Sequence, residues 1–104
     1  MLSIHLKNTK NKGVSYITYE EETILAKLYD KTEIKFIKKL WKNYYNDPIF
    51  SFEELEIAYK ELFTLSVEMI TKATTSPEIN FVYKMIAIVS YAVFHKENLC
   101  CLSD

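Results

Sequence analysis

Apolar and polar residues alternate at the start of the chain, which is the pattern of a β-strand with one buried face. Two segments share this period of two, at Leu2, Ile4 and Leu6 and again at Val14, Tyr16 and Thr18. The polar run between them ends in Gly13, the only glycine of the chain, and a tight hairpin loop needs a residue with positive φ. The sequence therefore predicts an N-terminal β-hairpin over about residues 2–18.

The rest of the chain follows the 3.6-residue period of amphipathic helices, interrupted by residues that begin or end a helix. Thr18 with Glu21, and Ser51 with Glu54, have the spacing of a capping box. Pro48 ends the second helix, because the residue before a proline avoids the helical region. These boundaries predict four helices, over about residues 19–30, 32–45, 52–72 and 77–95.

The last predicted helix is the most apolar segment of the chain. Between residues 79 and 94 only Asn80, Lys84 and Ser90 are clearly polar. A helix that is apolar on nearly every side has to be covered by other elements. We therefore expect a mainly α fold, in which the N-terminal β-hairpin is followed by a four-helix bundle-like domain with a buried last helix. The length of 104 residues suits a single domain, 1–104, that folds alone or as a homo-oligomer.

The charged residues are nearly balanced in number but divided along the chain. The net charge is −1, yet residues 1–47 hold nine Lys and six acidic residues, whereas residues 48–104 hold four Lys and eight acidic residues. All thirteen basic residues are Lys, so the planar Arg fork that binds phosphate or guanine in pairs is missing. We therefore expect no specific nucleic-acid partner.

Two predicted helices carry regular charged faces. The second helix has a Lys stripe at Lys35, Lys38, Lys39 and Lys42. The third has an acidic strip that recurs every seven residues, at Glu54, Glu61 and Glu68. The simplest interpretation of either set is a solvated helix face. As functional surfaces, the Lys stripe would bind an anionic partner and the acidic strip would steer a basic protein partner.

An aromatic corner surrounds the break at residues 46–48, formed by Trp41, Tyr44, Tyr45, Phe50 and Phe52. Trp and Tyr beside a loop are frequent anchors of protein contacts, and the alternative is that they pack the corner between two helices. Since Tyr44 and Tyr45 cannot both point inward with Trp41, we expect one exposed Tyr. We take Trp41 and Tyr45, together with the acidic strip, as candidate partner-binding residues.

No residue pattern indicates catalysis or cofactor binding. His5, His95, Cys100 and Cys101 do not form a zinc-ligand spacing, and one glycine cannot make a phosphate-binding loop. We therefore expect a protein that is not an enzyme and holds no metal or cofactor. The adjacent cysteines and the lack of a signal-peptide pattern favour free thiols and a cytoplasmic location, and residues 79–94 are too few to span a membrane.

In size, charge layout and lack of active-site residues, the chain resembles the small bacterial immunity proteins of polymorphic and contact-dependent toxin systems. The resemblance implies a non-enzymatic inhibitor that neutralises a cognate basic toxin domain by occlusion in the cytoplasm. The alternative is a small regulatory or nucleic-acid-associated module that uses the Lys stripe. A third interpretation, a small-molecule pocket protein or enzyme, rests only on the apolar core and the Tyr content.

Overall fold

The computed structural model describes residues 1–7 and 13–103, which form four helices and a four-stranded antiparallel sheet. The strands are β1 (Leu2–Leu6), β2 (Gly13–Ile17), β3 (Ile49–Phe50) and β4 (Leu99–Ser103). The helices are α1 (Tyr19–Lys31), α2 (Lys35–Lys42), α3 (Phe52–Thr71) and α4 (Ser76–Phe94). The sheet has the order β2-β1-β4-β3, so the first and last strands of the chain are its central pair.

One face of the sheet contributes directly to the hydrophobic core. Alternate residues of the strands point toward the helices and are buried: Leu2, Ile4, Leu6, Ile17, Phe50, Leu99 and Cys101. They form a single core cluster with the apolar faces of all four helices. The predicted N-terminal hairpin and the mainly helical content are confirmed, but a four-helix bundle is not, because the helices share their core with a sheet.

Two strands were missing from the sequence prediction. β3 has only two residues and lies in the predicted break, and β4 follows the last helix, where no alternation was recognised. Both are held by long-range pairing, Ile49 with Cys100 and Ile4 with Cys101. Gly13 has no positive φ and begins β2; the rest of the predicted hairpin loop, residues 8–12, lies outside the described residues.

Two helices begin at the predicted capping boxes, and one begins later than predicted. Thr18 and Glu21 form a complete capping box at α1, and Ser51 and Glu54 form another at α3, as predicted. The predicted start of the second helix at residue 32 is wrong, because Thr32 is extended and donates its hydroxyl to the carbonyl of Leu28. α2 consequently begins at Lys35 and spans eight residues.

α3 and α4 form an antiparallel helical hairpin with a very short turn. Ala73 closes α3 in the left-handed region, at φ 53°, and Thr74 N–H donates to the carbonyl of Met69. These two features define a Schellman motif, in which glycine is the usual residue. The chain uses Ala instead, so the turn retains some backbone strain.

The expectation that α4 is covered on all sides is wrong. Its core face, which includes Phe81, Met85 and Val89, is buried. Tyr83 and Phe94, however, lie on the opposite side, and Phe94 is 82% exposed. The apolar composition of α4 therefore reflects one buried face and one exposed apolar face.

Prediction: Cys101 should be strongly protected from thiol reagents, because β4 is a central strand. Burial, together with the neighbouring Cys100 and Asp47, raises the pKa of the Cys101 thiol to about 12. In a Cys100→Ser variant, alkylation of Cys101 should be at least about 100-fold slower in buffer than in urea, measured by mass spectrometry. Similar rates in both conditions would show that β4 does not hold its place in the sheet.

Prediction: the free energy of unfolding should decrease in acid as the Glu21 carboxylate becomes protonated. Burial raises the pKa of Glu21, but hydrogen bonds from Lys84, 2.8 Å away, and from Thr18 outweigh it, so the pKa lies below its usual value. The stabilisation is therefore complete above pH 4.5 and is lost as the pH falls through the lowered pKa. Glu21→Gln should cost about 1–2 kcal/mol at neutral pH.

Urea unfolding across the pH range measures this effect. The difference between the wild-type protein and Glu21→Gln should shrink below pH 4.5, while Glu20→Gln, an exposed neighbour, should follow the wild type throughout. If the free energy of unfolding differed by the same amount between wild type and Glu21→Gln at every pH, the Glu21 carboxylate would not be the source of the acid sensitivity.

Candidate functional site

A cleft of about 710 Å³ opens between the end of α1 and the middle of α3. Its apolar lining comes from Leu28, Ile34, Leu65 and Met69. Charged side chains surround this lining: Lys31, Glu33, Lys60, Glu61, Glu68, Lys72 and Glu78. An apolar surface with charged groups around it suits a protein segment whose inserted side chain has an apolar stem and a charged end.

Two residues of the predicted acidic strip, Glu61 and Glu68, lie together in this cleft. The spacing of seven residues puts them on one side of α3, about 10 Å apart along its axis. Their strip is not free of bases, because Lys60 and Lys72 line the same cleft. The acidic strip therefore lies beside bases in the fold, and the cleft has mixed charge.

Glu61 has the most unusual environment in the cleft. The residue is half-buried, and its Oε1 atom is buried without a hydrogen-bond donor in the described part of the chain. A buried carboxylate oxygen without a donor has lost its hydrogen bonds to water and has gained none in the fold. It therefore destabilises the folded state. A donor from outside the chain could satisfy this oxygen once the Glu61 side chain turns it toward the cleft.

Glu54, the third residue of the acidic strip, belongs to a structural network and does not line the cleft. Lys39 Nζ lies 2.9 Å from Glu54 Oε2 and also donates to the carbonyl of Ile49 at 2.6 Å. Burial raises the pKa of Glu54, but the hydrogen bonds from Ser51 and Lys39 more than offset it, so the pKa is lowered. Glu54 thus caps α3 and ties it to α2.

The Lys stripe is divided by contacts within the fold. Lys38 donates to the carbonyl of Tyr29 and lies over the Tyr29 ring, 4.3 Å from its centroid. With Lys39 held by Glu54, Lys35 and Lys42 are the two exposed members of the stripe. The four lysines therefore do not present a continuous cationic surface, which weakens the alternative interpretation as a nucleic-acid-associated module.

The aromatic corner is mostly packing. Tyr44 is buried and its hydroxyl donates to Glu22 Oε2 at 2.6 Å, while Trp41 is half-buried with its ring 5.5 Å from that of Tyr44. Tyr45 is 72% exposed, which confirms the prediction of one exposed Tyr. Trp41 and Tyr45 do not line the cleft, so the structure does not join the two halves of the predicted site.

Sequence analysis missed the half of the cleft that α1 and the following residues supply. Leu28, Lys31 and Ile34 approach α3 only through folding, and no local pattern marks them as site residues. The Lys31–Glu78 ion pair, at 3.4 Å, connects α1 to the start of α4 at the same place. A signal that could have indicated the cleft is the heptad recurrence of Glu61 and Glu68 beside Leu65, which places acids next to an apolar position.

The described residues contain no group of three or more His, Cys, Asp or Glu side chains placed to hold a metal ion. Among the helices that the structure describes, none is long and apolar enough to cross a membrane. Comparison with known proteins gives no match: no protein family, no curated protein and no solved structure is significantly similar to the chain.

Prediction: removing the Glu61 carboxylate, whose buried Oε1 has no donor in the described ranges, should stabilise the protein. Met has nearly the same length and no acceptor that requires a partner, so Glu61→Met should raise the free energy of unfolding by about 1 kcal/mol in urea titrations. Glu68→Met is the matched control, because Glu68 is exposed and its change should stay within about 0.5 kcal/mol. A clear loss of stability in Glu61→Met would mean that the fold itself needs the carboxylate.

Proposed function

We propose that the protein is a non-enzymatic, protein-binding inhibitor whose α1–α3 cleft receives a basic side chain of its partner. The observation that carries the proposal is that Glu61 lines a cleft with an apolar lining and has a buried Oε1 without a hydrogen-bond donor among residues 1–7 and 13–103. Within this class, immunity to a bacterial toxin is the role we favour, which places the protein in the cytoplasm.

The chemistry of the cleft selects a long cationic side chain. A partner Lys or Arg would lay its methylene stem on Leu65 and Met69 and donate from its charged end to Glu61. Glu68 lies about 10 Å further along α3 and would attract the same segment electrostatically. The partner would thereby supply a hydrogen-bond donor that Glu61 Oε1 does not find within the described part of the chain.

The cleft is large enough for a few side chains of a segment and too small for a domain. The inserted side chain would be an anchor, and inhibition would come from the rest of the protein covering the partner's working surface. We assign the exposed Tyr45 ring to this outer contact. The Tyr44 ring contacts both Tyr45 and the half-buried Trp41.

A growth-rescue experiment tests the proposal. Gene fragments of the native host that arrest the growth of a heterologous bacterium are co-expressed with the chain. We expect the chain to restore growth against at least one fragment and to form a stable complex with its product. Failure to rescue any toxic fragment would reject the proposed inhibition.

Prediction: the rescue should depend on the cleft carboxylates. A Glu61→Lys and Glu68→Lys double variant should weaken the purified complex by about 100-fold or more and abolish rescue, since like charges meet at the anchor. The matched control is Glu20→Lys with Glu53→Lys, which makes the same charge change at exposed sites outside the cleft. Equal loss in both variants would reject the cleft as the binding site, and thermal melts verify that each variant is folded.

A further inference from the structure

The cleft is elongated along α3. Its lining on this side extends from Lys60, in the middle of the helix, to Lys72, just past the end. At 1.5 Å per residue this is a length of about 18 Å. The end of α1 and residues 32–34 supply the opposite wall. A groove of this length has room for several side chains of a segment that lies parallel to α3.

Charged and apolar residues alternate in one line along the cleft side of α3. The line has positions i, i+4, i+7 and i+11, which lie within about 60° of each other around the helix. Its members are Glu61, Leu65, Glu68 and Lys72, and we call them the α3 line. The order of charge is negative, apolar, negative, positive. None of the three charged side chains forms an ion pair with residues 1–7 or 13–103.

The other charged residues of the cleft are less available to a partner that lies along α3. Lys31 is paired with Glu78 at 3.4 Å, and Glu33 lies 4.0 Å from Lys38. Lys60 is one position before the α3 line begins, which rotates it by about 100° around the helix. The α3 line is therefore the main charge pattern that such a partner meets.

Resting on the proposed function, in which the cleft receives a basic side chain, we propose that the bound segment is an amphipathic helix with two basic residues seven positions apart. The two bases would meet Glu61 and Glu68, and an apolar residue between them would cover Leu65. An acidic residue four positions beyond the second base would meet Lys72. The partner's pattern is then the complement of the α3 line.

The spacing of the two carboxylates favours a helix over an extended segment. Glu61 and Glu68 are about 10 Å apart along α3, and residues seven apart on a partner helix have the same separation. Side chains on one face of an extended segment recur every 6.6 Å or so, which places successive ones at about 6.6 and 13 Å. An extended segment therefore puts only one of its bases in register with a carboxylate.

Two synthetic peptides of identical composition test the proposal on the full chain. The matched peptide is an Ala-rich helix of about 15 residues with Lys at i and i+7, Leu at i+4 and Glu at i+11. In the control peptide the second Lys changes places with the Ala at i+5, which rotates this Lys by about 140° from the first. Each peptide is made in both chain directions, because a helix can lie parallel or antiparallel to α3.

NMR titration to about 1 mM peptide measures the affinities. In at least one direction the matched peptide should bind about 10-fold or more tightly than its control and gain helical circular dichroism on binding. Equal affinities of the matched and control peptides would overturn the proposal. Failure of the matched peptide to bind in either direction would also overturn it.

A charge exchange tests which carboxylate each base meets. Glu68→Lys should weaken binding of the matched peptide by about 10-fold, and replacing the second Lys of the peptide by Glu should restore it. Glu53→Lys is the matched control, because Glu53 is an exposed residue of α3 outside the cleft. Equal effects of Glu68→Lys and Glu53→Lys would overturn the register.

Growth rescue distinguishes this proposal from the proposed function. Rescue by the chain without binding of the matched peptide would keep the inhibition and reject the helical segment. Binding of the matched peptide without rescue of any toxic fragment would keep the helical segment and reject the inhibition.

Discussion

Antiparallel pairing of β1 with β4 joins the two ends of the chain, and most other parts of the fold depend on it. On one side β1 holds β2, and on the other side β4 holds β3 and with it the connection between α2 and α3. Asn98, just before β4, accepts a hydrogen bond from the backbone of Phe52 at the start of α3. Asp47 accepts from Ser103 in the same way. The last strand thereby fixes where the longest helix begins.

The position of α3 matters because three sides of this helix have different surroundings. One stripe of the helix, with Leu55 and Leu62, belongs to the core. A second stripe carries Glu61 and Glu68 into the cleft, and a third leaves Phe63 and Ile70 exposed to solvent. A rigid helix keeps these stripes at constant angles.

Charged residues in this protein differ in whether the fold itself provides them with a partner. Lys39 with Glu54, and Lys84 with Glu21, each connect two elements and satisfy a helix cap at the same time. Glu61, in contrast, has a buried oxygen without a donor among the described residues. The capping-box spacing marks Glu21 and Glu54 in the sequence, but which lysine, if any, lies near each of the three carboxylates is decided by folding.

The sequence by itself determined the local features: the period-two hairpin, both capping boxes, the existence of four helices and the exposure of one Tyr beside Pro48. These depend on residues within a few positions of each other, so the pattern of the chain contains them. Tertiary structure decided the rest. β3 and β4 exist because Phe50 pairs with Leu99 across nearly half the chain, and Glu61 lines a cleft because folding brings the end of α1 next to α3. Such contacts are set by packing between distant segments, which local periodicity does not encode.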